Sequence, residues 1–580
     1  MEKRGLLNRR YFLHQSLLLR PVLLGIACLG SALPVSAFAG PWTPDPALSN
    51  PDQHRLLYDI GRKYADANFD PDANLVGAQS HHPPNKKQHS TRESAYYAYG
   101  LLLTGDPADR DRAQAILRRV VTAQDNKSNG PTRGAYSWYF EEKPSDLNSA
   151  AFVGMVMADV IDLDRRHPML DADVRQAVEE SGKHAVEAVM QRDVDPGYTN
   201  IALLSTALAS AGQKLWQVPG SGAWAQGKLD AVMTLADDGE FYEYRSPTYS
   251  AVDIYAAYMA SKFAFSDAFA TKANAAINHL WQQIAASYHA PSLQLGGPYC
   301  RAYGDNMLDY AAGLKYSIYL ATDGGYPLPD TETDHDWDKA GLMSLCDLPI
   351  TVRPEFKVPP VPWRVVTATG PTGSPPRQLS QYREGNFILG TVAFQDEYKQ
   401  KRNLVADWRN DGPPPVGVQP GYCIDESNET VPGGYPGEKI HFYSQQVKSA
   451  ALVALVASSD IPGYPATQCL VFAPTAQVTM PADTGPVKIV DGTITAYLYP
   501  ITSEKVTHET TKDVHSVKVT RSWASADNVG YLKALSYLVV FRPSDQPAPT
   551  VSDIALRSNA GVGTASVVVD GAKLSVSFKN

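Results

Sequence analysis

The chain has 580 residues, 44% of them apolar and 19% charged, with 61 acidic against 52 basic side chains and a net charge of −9. The composition excludes a disordered chain, the length exceeds what one hydrophobic core usually holds, and the acidic balance excludes nucleic acid as a natural partner. Bulk attraction does not bring an anionic polymer to such a protein either, so a ligand of that kind needs a locally basic site.

The first element reads as a targeting segment. Lys3, Arg4, Arg9 and Arg10 precede an apolar stretch from Pro21 to Leu33 and the small-residue site Ala37-Phe38-Ala39. Within it, Asn8-Arg9-Arg10-Tyr11-Phe12-Leu13 fits the twin-arginine export pattern, although an ordinary secretory signal would look similar. A signal over 1–39 predicts a periplasmic or secreted protein. Its removal takes away five basic residues and one acidic residue, leaving −13. No later apolar run approaches the roughly 18 residues of a membrane span.

From about 50 to 325 the spacing predicts helices. His54–Ala65, Glu93–Leu103, Arg112–Ala123, Ser149–Asp164, Ile201–Ala211 and Ser266–Ser287 carry apolar residues three and four apart. Pro and Gly then cluster from Gly324 to Pro375, and short β-branched runs follow: Phe387–Val392, Val487–Tyr499, Ser516–Ser522, Tyr537–Phe541 and Ala565–Phe578. Ala450–Ala457 fits a buried strand and a helix equally well. The expected organisation is a helical domain over 40–325, a linker over 326–360 and an antiparallel β-sandwich-like domain over 361–580.

The helical part has a second rhythm. Helix starts are expected near 90, 146, 199, 250 and 305, with Ser90–Glu93 and Ser250–Asp253 as capping-box patterns and Ser145/Asp146, Thr199 and Asp305 at the others. The interval is the length of a two-helix hairpin, so stacked hairpins closing into an incomplete barrel, an (α/α) toroid, put every second helix start on one face. Chemistry-bearing residues gather at those starts: His81, His82, His89 and Arg92; Trp138 and Asn148; Tyr198 and Asn200; Glu243 to Tyr249; and Gly297 to Asn306.

Asn, Tyr, Arg, His and Glu together suit proton abstraction beside a carboxylate. The C5 proton of a uronic acid is weakly acidic, and its removal requires the carboxylate to be neutralised, a base, and an acid for the leaving oxygen. Asn200, Glu243 and Arg301 are candidates for neutralisation, and Tyr303 is the first and Tyr249 the second candidate for proton transfer. His89, Trp138, Asn148, Tyr198, Arg245, Tyr299 and Asp305 are candidates for binding the polymer. Each also has an ordinary reading: Asn148 and Asn200 as helix caps, Glu243 and Arg245 as a surface pair, His81 and His82 as solvated loop residues. Cys300, Cys346, Cys423 and Cys469 lack metal-ligand spacing. They are candidates for Cys300–Cys346 and Cys423–Cys469 disulfides or for buried thiols.

Glu243-Tyr244-Arg245-Ser246-Pro247-Thr248-Tyr249 with Asp253-Ile254-Tyr255 resembles a signature of toroid-type polysaccharide lyases around family 38, the glucuronan and alginate lyases. Gly297 to Met307, Asp146-Leu147-Asn148 and Tyr198-Thr199-Asn200-Ile201 resemble three further blocks, over roughly residues 75–320. The resemblance implies an (α/α) toroid, no obligatory cofactor, an anionic polysaccharide partner and a tyrosine that transfers the proton. Ser250 stands where some relatives have His, and Arg245 where Asn is expected. A glycoside hydrolase using Glu243 and Asp305, and a non-catalytic glycan-binding protein, are the competing expectations. The sequence leaves the oligomeric state open.

Overall fold

A computed structural model describes residues 48–579 apart from 80–86, 128, 238, 304–306, 308–312, 329–347, 399, 411–419, 427–429, 432–434, 437–439, 458–465, 483–484, 503–504, 512–513, 522–533 and 560–561. The targeting segment, His81, His82, Asp305 and Cys346 lie outside the described residues.

Ten helices lie among the described residues: α1 (Pro51–Asn68), α2 (Thr91–Leu103), α3 (Pro107–Thr122), α4 (Asn148–Arg166), α5 (Ala172–Arg192), α6 (Thr199–Ala211), α7 (Ser221–Ala236), α8 (Tyr249–Lys262), α9 (Asp267–Ser287) and α10 (Leu314–Ala321). Two kinds alternate. All 13 residues of α6 are buried, and α2, α4 and α8 are buried nearly all round, whereas α3, α5, α7 and α9 bury a single stripe such as Val174, Val178, Ala185 and Val189. A helix apolar on every side belongs inside, and one with a single stripe belongs outside. Consecutive helices accordingly pair as α2–α3, α4–α5, α6–α7 and α8–α9, while α2, α4, α6, α8 and α10 pack in sequence as an inner row. Helix α1 touches both α2 and α10 and joins the ends of that row. The helix starts at 91, 148, 199 and 249 match four of the five expected positions; the fifth lies outside the described residues. No described helix is long and apolar enough to cross a membrane.

Two small antiparallel sheets, Phe69–Asp70 with Leu75–Gln79 and Lys87–Ser90, and Tyr288–His289 with Gln294–Leu295, lie among the helices, and from Trp363 onward the strands build three antiparallel layers. One sheet has eight strands, in the spatial order Lys505–Thr510, His515–Arg521, Ala466–Phe472, Pro420–Glu426, Leu404–Arg409, Phe387–Val392, Arg377–Glu384 and Trp363–Ala368. A seven-stranded sheet centred on Ile494–Pro500, Ala534–Pro543 and Ala450–Ala457 faces it, and their inner side chains form one core around Leu389, Trp408, Phe442, Leu470 and Tyr537. Ala450–Ala457 is therefore a strand. A third sheet, Val551–Asn559, Val562–Val569 and Ala572–Lys579, covers the outer face of the seven-stranded one through Leu452, Val456, Leu538, Leu574 and Phe578. The eight-stranded sheet turns its other face to the helices, where Val405 and Ile424 join the helical core.

Two expected strands are hairpins. Val487–Tyr499 contains Val487–Asp491 and Ile494–Pro500, which reverse at Gly492 with φ +58°, and Ala565–Phe578 reverses at Asp570-Gly571 with φ +49° and +82°. Asp-Gly is a preferred hairpin turn, because both central residues take positive φ. The Cys423–Cys469 pairing is also corrected. Cys423 stands opposite Phe472 and shares its inner face, while Cys469, three residues from Phe472, points to the opposite face with Val471. The alternation of a strand keeps the two sulfurs apart, and they are not joined.

Candidate active site

The starts of α2, α4, α6 and α8, with the segment 297–303, carry a continuous chain of side-chain contacts. At one end the Arg92 guanidinium lies 5.6 Å from the centre of the Trp138 ring, and the Trp138 indole N–H donates to Asp146 at 3.0 Å. Asp146 also accepts the Asn148 backbone N–H at 2.9 Å and so caps α4. The Asn148 amide reaches the Tyr198 hydroxyl at 3.3 Å and takes a hydrogen bond from Arg192 on its carbonyl oxygen. The Tyr198 ring then meets Arg301, 5.0 Å from its centre.

Arg301 is the hub. Its Nε donates to Gln400 Oε1 at 3.0 Å, Nη1 to Glu243 Oε1 at 2.9 Å and Nη2 to the Tyr249 hydroxyl at 2.9 Å. Burial opposes its charge, but Glu243, Tyr249 and Tyr198 together outweigh burial and favour the protonated guanidinium. The other Glu243 oxygen accepts from the Asn200 backbone N–H at 2.9 Å and from its side-chain amide at 2.6 Å. The positive end of α6 thus holds a carboxylate supplied by the protein itself. Asn200 is wholly buried and Glu243 nearly so; they fix Arg301 from behind, while Arg301, Tyr198 and Tyr303 stand nearer solvent. Burial raises the Tyr249 pKa and Arg301 acts against that rise. The Tyr303 ring lies 5.8 Å from that of Tyr249 and is 55% exposed.

The local sequence explains why these groups meet. In the run 243–249, Glu243 turns to Arg301, while Tyr244 plugs into the sheet core and accepts from Gln395 at 3.0 Å. Ser246 donates its hydroxyl to the Arg301 carbonyl and accepts the Tyr249 N–H at 2.8 Å, which sets the start of α8 beside Arg301. Ser246 is therefore the cap expected of Ser250, and Ser250 falls inside the first turn. On the other side, Tyr299 and Arg402 exchange backbone hydrogen bonds at 2.8 and 3.0 Å, and the Ala302 N–H donates to the Gln400 carbonyl at 2.7 Å. The β half therefore holds the Arg301 segment as if it were another strand. Behind Glu243 lies a small cavity that Ser250 and Asp253 also line. Burial, with Glu243 nearby, pushes the Asp253 carboxyl well above its usual range.

The expected residues divide accordingly. Trp138, Asn148, Tyr198, Asn200, Glu243, Tyr249, Arg301 and Tyr303 come together. Arg245 does not. It takes a positive φ of +48° and turns away, pairing through two nitrogens with fully buried Glu240 at 2.8–3.1 Å. Tyr299 is wholly buried and donates to the Leu295 carbonyl, while Cys300 is buried against the sheet core. His89 lies between two carboxylates, Glu141 at 2.5 Å and Asp70 at 3.2 Å. Two contributors were missed. Arg192, in the last turn of α5, reads only as a cation favoured by the helix dipole, and Gln400 sits in a β-domain connection without any motif. Among the described residues, no group of three or more His, Cys, Asp or Glu is arranged to hold a metal ion.

A family model described as a domain of unknown function (DUF8769) matches residues 55–338. No curated protein matches the chain. Among solved structures, heparinase III is similar at 9% identity over 92% of each chain, with a TM-score of 0.45. A heparan sulfate lyase HepC mutant from Pedobacter heparinus is similar at 10% identity over 90% of this chain and 89% of its own, with a TM-score of 0.35. Endoglucanase CelQ from Clostridium thermocellum follows at 9% identity over 85% and 93%, with a TM-score of 0.25. Such scores carry no functional conclusion, and the fold is read from the elements themselves.

Proposed function

We propose that the chain is an exported polysaccharide lyase that cleaves a uronic-acid-containing polymer, alginate or glucuronan, by metal-independent β-elimination at the Arg301–Tyr249 end of the contact chain. The observation that carries this reading is the 2.9 Å contact between a charged guanidinium and a phenol, backed by Glu243 and Asn200. Export rests on the twin-arginine pattern at Asn8–Leu13.

In this mechanism Arg301 faces the uronate carboxylate and offsets the charge that builds on it as the C5–H bond breaks. Tyr249, as phenolate, takes the C5 proton and returns it to the glycosidic oxygen as the C4–O bond breaks, so one group serves as base and then acid. The products are a chain with a new hydroxyl end and a 4,5-unsaturated uronate. Trp138, Asn148, Tyr198 and Arg192 lie along the contact chain where neighbouring sugars bind, and Tyr303 flanks the reacting unit. Hydrolysis through Glu243 fits less well, because both of its oxygens are committed to Arg301 and Asn200.

The test is ultraviolet absorbance of the conjugated product, with EDTA present, on alginate, glucuronan, hyaluronan, pectate and heparan sulfate. Absorbance is expected to rise with alginate or glucuronan. Reducing ends released without absorbance would mean hydrolysis, and binding without either would mean a glycan-binding protein.

A further inference from the structure

Far along the chain from the Arg301 network, the edge of the eight-stranded sheet brings three donor atoms together. Lys505–Thr510 pairs with His515–Arg521 so that Thr510 stands directly opposite His515, and His508 lies two residues before Thr510. Side chains two apart on a strand, and those directly opposite across a pair, share one face. His508 Nε2 lies 3.1 Å from His515 Nδ1, and Thr510 Oγ1 lies 3.2 Å from each. The three atoms form a nearly equilateral triangle.

Those sides match the spacing of donors around a small divalent ion. Metal–nitrogen bonds of ~2.0–2.1 Å place adjacent ligands about 2.9 Å apart in an octahedron and about 3.4 Å apart in a tetrahedron. The Glu509–Lys518 pair occupies the alternate strand positions and so the opposite face, while the Asp491 carboxyl acts electrostatically with His515.

We infer that His508, Thr510 and His515 form a binding site for a borderline transition-metal dication such as Zn²⁺, with two imidazoles as anchors, the hydroxyl as third donor and water completing the shell. Imidazole suits Zn²⁺, Cu²⁺ and Ni²⁺ rather than Ca²⁺ or Mg²⁺. The site shares no residue with the Arg301 network, so the ion takes no part in the elimination proposed above.

The experiment uses untagged full-length protein, stripped with EDTA, dialysed and titrated calorimetrically with zinc chloride, alongside His508→Ala, His515→Ala and Thr510→Val. Circular dichroism checks each fold, and His508→Gln replaces the alanine variant if that one fails to fold. Wild type is expected to bind one Zn²⁺ per chain and to melt at a higher temperature with Zn²⁺ present. Either histidine substitution is expected to weaken that binding about tenfold or more. Thr510→Val is expected to have a smaller effect. Polymer cleavage, measured separately in EDTA, should be the same in all variants, so a failure of the lyase reading leaves the zinc result intact. The absence of a saturable one-to-one phase, or histidine variants that titrate like wild type, would overturn the site.

Discussion

Arg301 gives each of its three nitrogens to a different neighbour, and those neighbours decide what it can do. Gln400 and Glu243 fix its plane and Tyr249 receives the remaining directed N–H, so the guanidinium is held in place before any ligand arrives. Tyr249 is the more interesting partner, because two effects compete on it. Burial raises its pKa and Arg301 lowers it, and burial wins. If the phenolate is the working base, its fraction below that pKa grows tenfold per pH unit. The expected result is kcat/KM on the cleaved polymer rising with pH from neutral into the alkaline range, with a logarithmic slope near 1. A profile flat across that range, measured with the fold intact, would assign the base to another group. Tyr303 ranked first from sequence, for its place beside Arg301 and Gly304. The exposure of Tyr303 and the hydrogen bond that Arg301 gives to the Tyr249 hydroxyl favour Tyr249.

At the scale of elements, the site depends on how closely the sheet approaches the helices. A Cβ on Gly390 would lie 1.9 Å from the Gly297 carbonyl oxygen, and one on Gly239 would lie 1.7 Å from that of Thr367. Backbone oxygens cannot move aside as flexible side chains can. Gly390→Ala is therefore expected to push the 297–303 segment off the sheet, lowering the melting temperature by an amount equivalent to about 1–3 kcal/mol and reducing turnover with it. Gly227→Ala is the control: it lies in α7 with nothing within 4 Å of the added atom, and is expected to stabilise by about 0.5–1 kcal/mol. Thermal melts of both variants, with activity measured alongside, decide the matter.

These elements also show what the sequence could reveal. The starts of α2, α4, α6 and α8 were legible because hairpin length fixes their interval, although the expected capping residues mark only α2 and α4. The contacts of Asn148, Asn200, Glu243 and Tyr249 followed from those starts. Arg245 misled because its direction depends on a left-handed backbone, which no pattern announces in a non-glycine residue. Gln400 was invisible because its role comes from a tertiary approach a hundred residues along the chain. The third sheet was likewise hidden, since two of its strands read as one run.

For the molecule as a whole, the helices and the sheets meet at a buried cluster of charge. Glu240, fully buried, pairs with Arg245 at 2.8 Å and with Arg364 of the sheet at 2.7 Å, and its N–H donates to the Thr367 carbonyl at 2.8 Å. Burial opposes its charge, yet Arg245 and Arg364 hold its carboxyl below the usual range. Glu240→Ala strands both arginines and is expected to cost about 3–5 kcal/mol, seen as an earlier denaturant midpoint. A midpoint within error of wild type would mean that the pair contributes nothing to joining the halves.

The account's central claim is that elimination runs through the phenol beside Arg301, and Tyr249→Phe tests it most directly because it removes a single oxygen. The measurement is the rate of unsaturated-uronate absorbance on the best-cleaved polymer, wild type against Tyr249→Phe, with matched circular dichroism and melting curves. The account predicts an unchanged fold and a rate lower by about 10²–10⁴. A folded Tyr249→Phe protein that produces the absorbance at the wild-type rate would contradict it.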